Sequence, residues 1–174
     1  ESRHAETAAL LRAHGGTSLG EAPARGWEHG RFNAPYLRDS LLSAGALCET
    51  LETATNWSNV PTLKAAVTAA LTESLGQALV MCHISHVYPT GASLYFTVVA
   101  AQQGDPLAQW QRAKTAATDA MVRTGATITH HHAVGADHRP WMQAEIGDLG
   151  VDILKSVKAT LDPVGILNPG KLIP

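Results

Sequence analysis

Residues 79–101 read LVMCHISHVYPTGASLYFTVVAA, and this stretch decides the fold. Two runs of alternating apolar and polar residues flank Pro89–Gly91, which predicts a hairpin with strands Leu79–Tyr88 and Ser93–Ala101. The alternation gives each strand one apolar face and one polar face. A three-residue turn would pair residue 85 with 95 and 83 with 97. The polar face then carries three side chains that can contact a ligand: His83, Ser85 and Tyr95.

The flanking segments complete a β-α-β-β-α-β order. The further predicted elements are a strand over Leu47–Trp57, a helix over residues 60–75, a helix from Pro106 to about residue 124, and a short strand over Ala126–His130. This order predicts an α+β fold of the ferredoxin-like, split βαβ type. Its antiparallel sheet has both helices on one face, and the other face is left free.

Helical spacing of apolar residues predicts the core. The buried positions predicted are Val60, Leu63, Val67, Leu71 and Leu75 in the first helix, and Leu107, Trp110, Ala117 and Met121 in the second. Asn59 and Asp105 are predicted N-caps, and Gly76 and Gly125 end the helices.

The chain has two predicted parts. Residues 1–40 comprise an N-terminal helix over 2–14 and a Gly-rich stretch over 15–34 that reads as a linker or a lid, before a short helix over Pro35–Ser43. Residues 41–174 form the main domain, with further helices after the sheet. Because the chain starts at Glu1 without Met, we expect it to be a piece of a longer protein.

Composition limits the function classes. The chain has 174 residues, of which 45% are hydrophobic and 16% charged, and this suffices for one domain with a core. The formal net charge is -2 and no basic cluster occurs, which argues against a nucleic-acid partner. No run of about 20 apolar residues is present, so no transmembrane segment is expected. Cys48 and Cys82 are read as reduced thiols, which suits a cytoplasmic location.

Three consecutive histidines, His130 to His132, follow the last predicted strand. Histidine exchanges protons near neutral pH, so acid/base catalysis is one interpretation and a plain polar turn is the other. Because adjacent strand residues face opposite ways, one metal ion would use at most His130 and His132, with His83 or His86 completing the site. No metal is expected. The sequence also lacks a nucleophile elbow and a phosphate-binding Gly-rich loop.

The tail over Asp162–Lys171 reads DPVGILNPGK and predicts a rigid double turn. As plain structure it ends a helix. It also holds Asn168 and Lys171 in a stiff frame, which suits lining a ligand.

The tail resembles the ending of the FAD-linked oxidases of the vanillyl-alcohol oxidase superfamily. Three other segments resemble more specifically its alkyldihydroxyacetonephosphate synthase branch. The first begins at Arg38-Asp39 and continues through residues 49–57 (ETLETATNW). The second is the run over residues 130–135 (HHHAVG), and the third is Tyr95 within Leu94-Tyr95-Phe96. The likeness extends over nearly the whole chain from about Trp27.

The resemblance implies that this is the C-terminal substrate, or cap, domain of an FAD-dependent enzyme whose FAD-binding domain is absent from this chain. Such an enzyme makes ether-lipid precursors by acyl-to-alkyl exchange through a flavin N5 adduct. Tyr95, His130, His131 and His132 would be catalytic proton donors and acceptors. His132, Asn168 and Lys171 would contact the FAD cofactor. The chain alone would be inactive.

Substrate contacts are expected from Arg38, His83, Ser85, His138 and Arg139. Animal members carry Arg where this chain has His83, and another Arg near His138. Arg binds phosphate more firmly than His, so Arg38 or Arg139 could compensate. Two alternatives stay open: a flavin-dependent oxidase or dehydrogenase of an alcohol or 2-hydroxy acid, and a non-catalytic binding module.

The expected partners follow from these alternatives. They are a small lipid-like or hydroxy-acid substrate and the FAD-binding domain of the same parent chain. Peripheral membrane contact and a homodimer are left open.

Overall fold

The computed structural model describes residues 2–174 and divides into two compact units, one up to Ser40 and one over Leu41–Pro174. The first unit contains helices α1 (Ser2–Ala13) and α2 (Ala22–Gly30), and α3 (Ala34–Ser43) runs across the boundary. α2 occupies part of the stretch predicted as a linker or lid. A proline in its first turn and the Glu21–Arg25 ion pair at 2.6 Å favour the helix.

The second unit contains the sheet. Its elements are β1 (Ala46–Asn56), α4 (Val60–Leu75), β2 (Ala78–Ser85), β3 (Gly91–Ala101), α5 (Pro106–Arg123) and α6 (Met142–Leu161), with short 3-10 turns at Trp57–Asn59 and Arg139–Trp141. The strands are antiparallel in the order β1-β3-β2. The α+β class predicted from the sequence is confirmed.

The core lies between one sheet face and helices α4 and α5. All five positions predicted in α4 are buried, and so are Ala117 and Met121 of α5. They meet Leu94, Phe96 and Val98 of β3, each 0% exposed. Leu107, predicted to be buried, is 65% exposed, because it stands in the first turn of α5, beside the Asp105 cap.

One of the two predicted helix caps forms. The Asp105 carboxylate accepts hydrogen bonds from the backbone N–H groups of Leu107 and Ala108. Asn59 makes no side-chain cap, since its amide donates instead to Thr55 and to the Thr124 carbonyl. These two bonds tie the start of α4 to the end of α5.

The hairpin register differs from the prediction by two residues. Ser85 pairs with Ser93 and His83 pairs with Tyr95, and seven residues, His86 to Ala92, lie between the last paired residues of the hairpin. β2 ends before His86, whose φ of 44° is incompatible with a strand. A shift of two keeps every side chain on its predicted face. The polar face predicted for the hairpin is therefore correct although its pairing is not.

The predicted fourth strand, Ala126–His130, is wrong as a regular strand. The segment runs beside β1 and donates hydrogen bonds from Thr127 N to Ala54 O and from His130 N to Glu52 O, both at 3.1 Å. From one bond to the next, the segment advances three residues, from 127 to 130, while β1 advances only two, from 54 to 52. A regular ladder needs equal steps on both strands. The extra residue breaks the ladder. The Thr53 hydroxyl donates to the Thr127 carbonyl at 2.5 Å and helps to hold the segment in place.

Candidate active site

A row of three side chains crosses the free face of the sheet. Tyr95 of β3 lies opposite His83 of β2 on one side and opposite Glu52 of β1 on the other. Directly paired antiparallel residues share a face, so all three point away from the core. His83 is exposed, Tyr95 is half-buried, and Glu52 is only 5% exposed. The row joins two predicted site residues to a carboxylate that was not predicted.

The histidine triplet forms a tight turn next to Glu52. His131 and Ala133 both have a φ of 59°, in the left-handed region that few non-glycine residues adopt. The turn brings the rings of His130 and His131 to 4.2 Å between centroids. The expectation that these neighbours face opposite ways is therefore wrong, since it assumed an extended strand. The ring of His132 meets the edge of Tyr95 at 5.5 Å.

The buried Glu52 carboxylate serves two of the three histidines. Its Oε1 lies 3.1 Å from His130 Nδ1, and its Oε2 lies 3.5 Å from His132 Nε2. A buried carboxylate needs hydrogen-bond or charge partners, and the two imidazoles supply them. The alternation of β1 could have placed Glu52 on the free face. Its burial could not be read, because residues far along the chain cover it.

Tyr88 is the second residue that the sequence did not reveal. Its hydroxyl lies 3.0 Å from His130 Nε2. Its backbone N–H donates to the Gly91 carbonyl at 2.8 Å, and its own carbonyl accepts from the Trp57 indole at 3.0 Å. The tip of the hairpin is thus held against the end of β1, independently of the tyrosine ring.

Three imidazoles lie close enough together to hold a metal ion. One ring nitrogen each of His86, His130 and His131 lies within 4.8 Å of the others. Both nitrogens of His130 already have partners, Glu52 on Nδ1 and Tyr88 on Nε2. A metal would have to displace one of them. We therefore do not assign the three as ligands, and a metal-free site remains a prediction.

A cavity of about 410 Å³ opens beside the triplet, between β1, α5 and the tail. Lys114, His132, His138 and Lys171 are among its lining residues. Lys114 pairs with Asp137 at 2.8 Å, and this hydrogen bond lowers the pKa of Asp137. Lys171 and His132, which were both predicted to contact the cofactor, line this same cavity.

His138 is buried, with only 7% of its surface exposed. Its Nδ1 donates to the Ala133 carbonyl at 3.1 Å. Burial, followed by the charge of Lys114, lowers the pKa of His138 below its ordinary value. The lowered pKa favours the neutral form of His138, which holds the loop after the triplet through its bond to Ala133. It is poorly suited to the predicted contact with a phosphate.

The remaining predicted residues are spread over the surface. The Ser85 hydroxyl lies 3.1 Å from the Ser93 hydroxyl across the hairpin. Arg139 stands in the 3-10 turn before α6, and Asn168 lies in the exposed tail with a φ of 46°. Arg38 belongs to the first unit, where its guanidinium lies 3.9 Å from Asp39. The roles assigned to these residues stay predictions.

The tail is organised by one carboxylate. Asp162 accepts hydrogen bonds from the backbone N–H groups of Ile166 at 3.1 Å and Leu167 at 2.9 Å, and from the Lys158 ammonium. The Lys158 bond, more than any other contact, holds the pKa of Asp162 below its usual range. The predicted rigid turn therefore has a physical cause. Leu172 N then donates to Gly135 O at 2.8 Å, which brings the tail to the loop after the triplet.

The chain matches the family model for FAD linked oxidases, C-terminal domain, over residues 1–172. It belongs to that family. It is 32% identical over 177 residues to alkyldihydroxyacetonephosphate synthase of Trypanosoma brucei brucei, covering 99% of this chain and 29% of the relative. It is 34% identical over 170 residues to the synthase of Dictyostelium discoideum, covering 95% of the chain and 28% of the relative. The chain thus spans less than a third of the length of these two relatives.

A solved structure gives the same result. A structure of alkyldihydroxyacetonephosphate synthase matches with a TM-score of 0.59 and 26% identity, over 95% of this chain and 27% of that one. Membership in the FAD-linked oxidase family and the predicted likeness to the synthases are both confirmed. None of the described helices is both long and apolar enough to cross a membrane.

The side chains of the free sheet face suit a flavin ring in their chemistry. His83, Tyr95 and His132 offer imidazole and hydroxyl groups that can donate hydrogen bonds to ring nitrogens and oxygens or accept them. Within residues 2–174 no Walker-type or G-x-G-x-x-G loop leads from a strand into a helix N-terminus to hold a pyrophosphate. These residues therefore fit the reacting ring and not the nucleotide part of FAD.

Proposed function

We propose that this chain forms the substrate side of an FAD-dependent enzyme. The enzyme would exchange the acyl group of acyl-dihydroxyacetone phosphate for a fatty alcohol, as in ether-lipid precursor synthesis. One observation carries the proposal: Tyr95, His130 and His132 converge on the buried Glu52 at a free sheet face. The likeness to two alkyldihydroxyacetonephosphate synthases over nearly the whole chain supports the same reaction.

The residues of this chain would handle protons. FAD, when bound, supplies the centre on which the exchange takes place without net oxidation. Exchange of an ester for an ether requires the incoming alcohol to lose a proton and the departing carboxylate to be stabilised. His132 and Tyr95 lie together on the free face and are placed to give and accept protons there. The Glu52 carboxylate, 3.5 Å from His132 Nε2, would stabilise a positive charge on that ring.

The test is a labelled-alcohol assay. The parent enzyme, in which this chain is joined to its FAD-binding domain, is loaded with FAD and incubated with acyl-dihydroxyacetone phosphate and radiolabelled hexadecanol. We expect label in an alkyl-dihydroxyacetone phosphate product, fatty acid release in equal amount, and no reduction of an electron-acceptor dye. A flavin-loaded protein that incorporates no label under these conditions would contradict the proposal.

A second candidate is oxidation of an alcohol or 2-hydroxy acid by the same flavin family. It is favoured by the groups at two expected phosphate contacts: His83 holds a phosphate less firmly than Arg would, and His138 is buried with a lowered pKa. Dye reduction by a 2-hydroxy acid, with no incorporation of labelled alcohol, would select this reaction. A protein that binds flavin and performs neither reaction would instead be the non-catalytic binding module.

A further inference from the structure

A continuous hydrogen-bond chain leads from the sheet to the surface. Glu52 Oε1 contacts His130 Nδ1 at 3.1 Å, and His130 Nε2 contacts the Tyr88 hydroxyl at 3.0 Å. Exposure rises along this series of hydrogen bonds: 4% for the Glu52 side chain, 14% for the His130 side chain and 43% for the residue Tyr88. The inner end of the series, at Glu52, is therefore buried, and its outer end, at Tyr88, is open to a ligand.

The chemistry of the three groups gives the chain a direction. A carboxylate only accepts hydrogen bonds, so His130 Nδ1 must carry a proton. In a neutral imidazole the other nitrogen, Nε2, is then an acceptor. The Tyr88 hydroxyl must donate to it. The Tyr88 oxygen then keeps lone-pair capacity to accept a hydrogen bond from a hydroxyl group, and the residue is 43% exposed.

The second oxygen of Glu52 lies near the other histidine. His132 Nε2 stands 3.5 Å from Oε2, an ion-pair distance at which the negative charge favours a proton on Nε2. The same carboxylate thus accepts a hydrogen bond from His130 Nδ1 and electrostatically favours the opposite tautomer in His132. Tyr95 meets His132 edge to face, with an interplanar angle of 83°. Of the two tyrosines, Tyr88 alone is joined to its histidine by the hydrogen bond described above.

We propose that Tyr88 is the proton-accepting end of a relay for a substrate hydroxyl group, with Glu52 as its positioning residue. The proton of the alcohol passes to the Tyr88 oxygen as the phenolic proton of Tyr88 passes to His130 Nε2. The alcohol oxygen keeps the electron pair of the broken O–H bond and becomes the nucleophile. Glu52 accepts the Nδ1–H bond throughout and balances the imidazolium charge. The reverse transfer returns the proton to a leaving oxygen. The relay rests on the proposed function, in which a fatty alcohol is the nucleophile.

The first test needs no enzymatic activity. Nitrogen-15 shifts of the imidazoles are measured in the 174-residue protein at about pH 8.5, where an ordinary histidine with pKa about 6.5 is neutral. We expect the proton on Nδ1 in His130 and on Nε2 in His132. A His130 with its proton on Nε2 would overturn the relay, since Tyr88 could not then donate to it.

Glu52→Gln sharpens this test. A glutamine side chain has one accepting oxygen and one donating NH₂ group, so it cannot accept from both histidines. We expect one of the two imidazoles, and not both, to change tautomer. If both keep their tautomers in the variant, Glu52 does not set them and its proposed role is wrong.

The second test is kinetic. Tyr88→Phe removes the hydroxyl, while the backbone bonds of residue 88 to Gly91 and Trp57 remain. Loss of a proton-transfer group lowers the rate by about 10²–10⁴-fold, so we expect kcat for labelled-alcohol incorporation to fall in that range with little change in KM. Tyr36→Phe, at an exposed position in α3, is the matched control. Equal kcat in Tyr88→Phe and wild type would overturn the relay.

The outcomes separate the two proposals. A wild-type protein that incorporates labelled alcohol, together with an unaffected Tyr88→Phe variant, refutes the relay and leaves the proposed function standing. A wild-type protein that only reduces dye refutes the proposed function. In that case the tautomer measurement still decides whether the hydrogen-bond chain from Glu52 to Tyr88 exists.

Discussion

Glu52 is buried although it lies on the sheet face that the helices leave open. Segment 126–133 runs beside β1, and two of its histidines lie against the carboxylate, His130 hydrogen-bonded to Oε1 and His132 at 3.5 Å from Oε2. Glu52 and His130, 78 positions apart in the chain, therefore belong to one polar cluster. A local sequence pattern can place Glu52 on a face, but it cannot show what covers that face.

Tyr95→Phe should lower turnover and leave stability unchanged. The hydroxyl lies on the free face, opposite the core residues Leu94 and Phe96, so its removal costs no core packing. We expect kcat to fall by about 10²–10⁴-fold if the hydroxyl transfers a proton. Turnover and the urea midpoint are measured together, with Tyr36→Phe as control. Full turnover in Tyr95→Phe would show that the Tyr95 hydroxyl transfers no proton in the reaction.

His83→Arg should tighten binding of a phosphorylated substrate. His83 is exposed and pairs with Tyr95, so a guanidinium there would face the same ligand. Arg stays charged and grips phosphate oxygens with two N–H groups. We expect a lower Kd for acyl-dihydroxyacetone phosphate and no change for an unphosphorylated analogue, by flavin fluorescence titration between about pH 6 and 8.5, a range around the ordinary His pKa. Equal gains for both ligands would argue against phosphate recognition at this position.

At the scale of elements, the hairpin tip positions the site. Gly91 begins β3 opposite Asn56 of β1, and a Cβ atom there would lie 2.0 Å from the Thr55 carbonyl oxygen. Only glycine permits that approach. Tyr88, which stands beside His130, donates its backbone N–H to the Gly91 carbonyl at 2.8 Å. Position 91 therefore links the close backbone contact with β1 to the position of Tyr88.

Gly91→Ala should destabilise the second unit. The added methyl group must push β1 and β3 apart at their paired ends, and forced overpacking of this kind costs about 1–3 kcal/mol. The measurement is the free energy of unfolding in urea. Gly26→Ala is the control, since a Cβ at residue 26 meets nothing within 4 Å. Unchanged stability of Gly91→Ala would mean that the strands separate there at no cost.

At the scale of the whole molecule, the buried His138 makes the stability of the fold depend on pH. Its folded pKa is lowered, first by burial and then by the charge of Lys114. The unfolded chain therefore binds a proton more readily than the folded one. Stability is retained above the unfolded pKa, about 6.5, and is lost as pH falls below it towards the folded value.

We expect the free energy of unfolding of the second unit to decrease as the pH falls from about 6.5 to the lower pKa of His138 in the folded protein. His138→Gln keeps a side chain that can donate to the Ala133 carbonyl but does not titrate. Its stability should be flatter over that range, as measured by urea unfolding at each pH. His29→Gln, in α2, is the control. Parallel curves for wild type and His138→Gln would remove His138 as the cause.

Alternation and helical spacing by themselves determine much of this protein. The amino-acid sequence predicts the faces of β2 and β3, the buried side of α4 and the Asp105 cap, because strand and helix patterns are local. It also predicts the family membership, through the motifs that carry the resemblance. The predicted hairpin register is wrong because one left-handed residue, His86, lengthens the loop. The same kind of local backbone conformation, at His131, turns the predicted strand end into a histidine cluster.

The site itself is decided only by tertiary structure. Tyr88, His130 and Glu52 become partners when the hairpin tip, the segment after α5 and β1 meet. Their hydrogen bonds join residues 42 and 78 positions apart, a separation that no local pattern registers. The burial of Glu52, and the burial that lowers the pKa of His138, likewise come from distant parts of the chain. Sequence periodicity reports which face a side chain occupies, whereas hydrogen-bond partners and solvent access depend on what packs against that face.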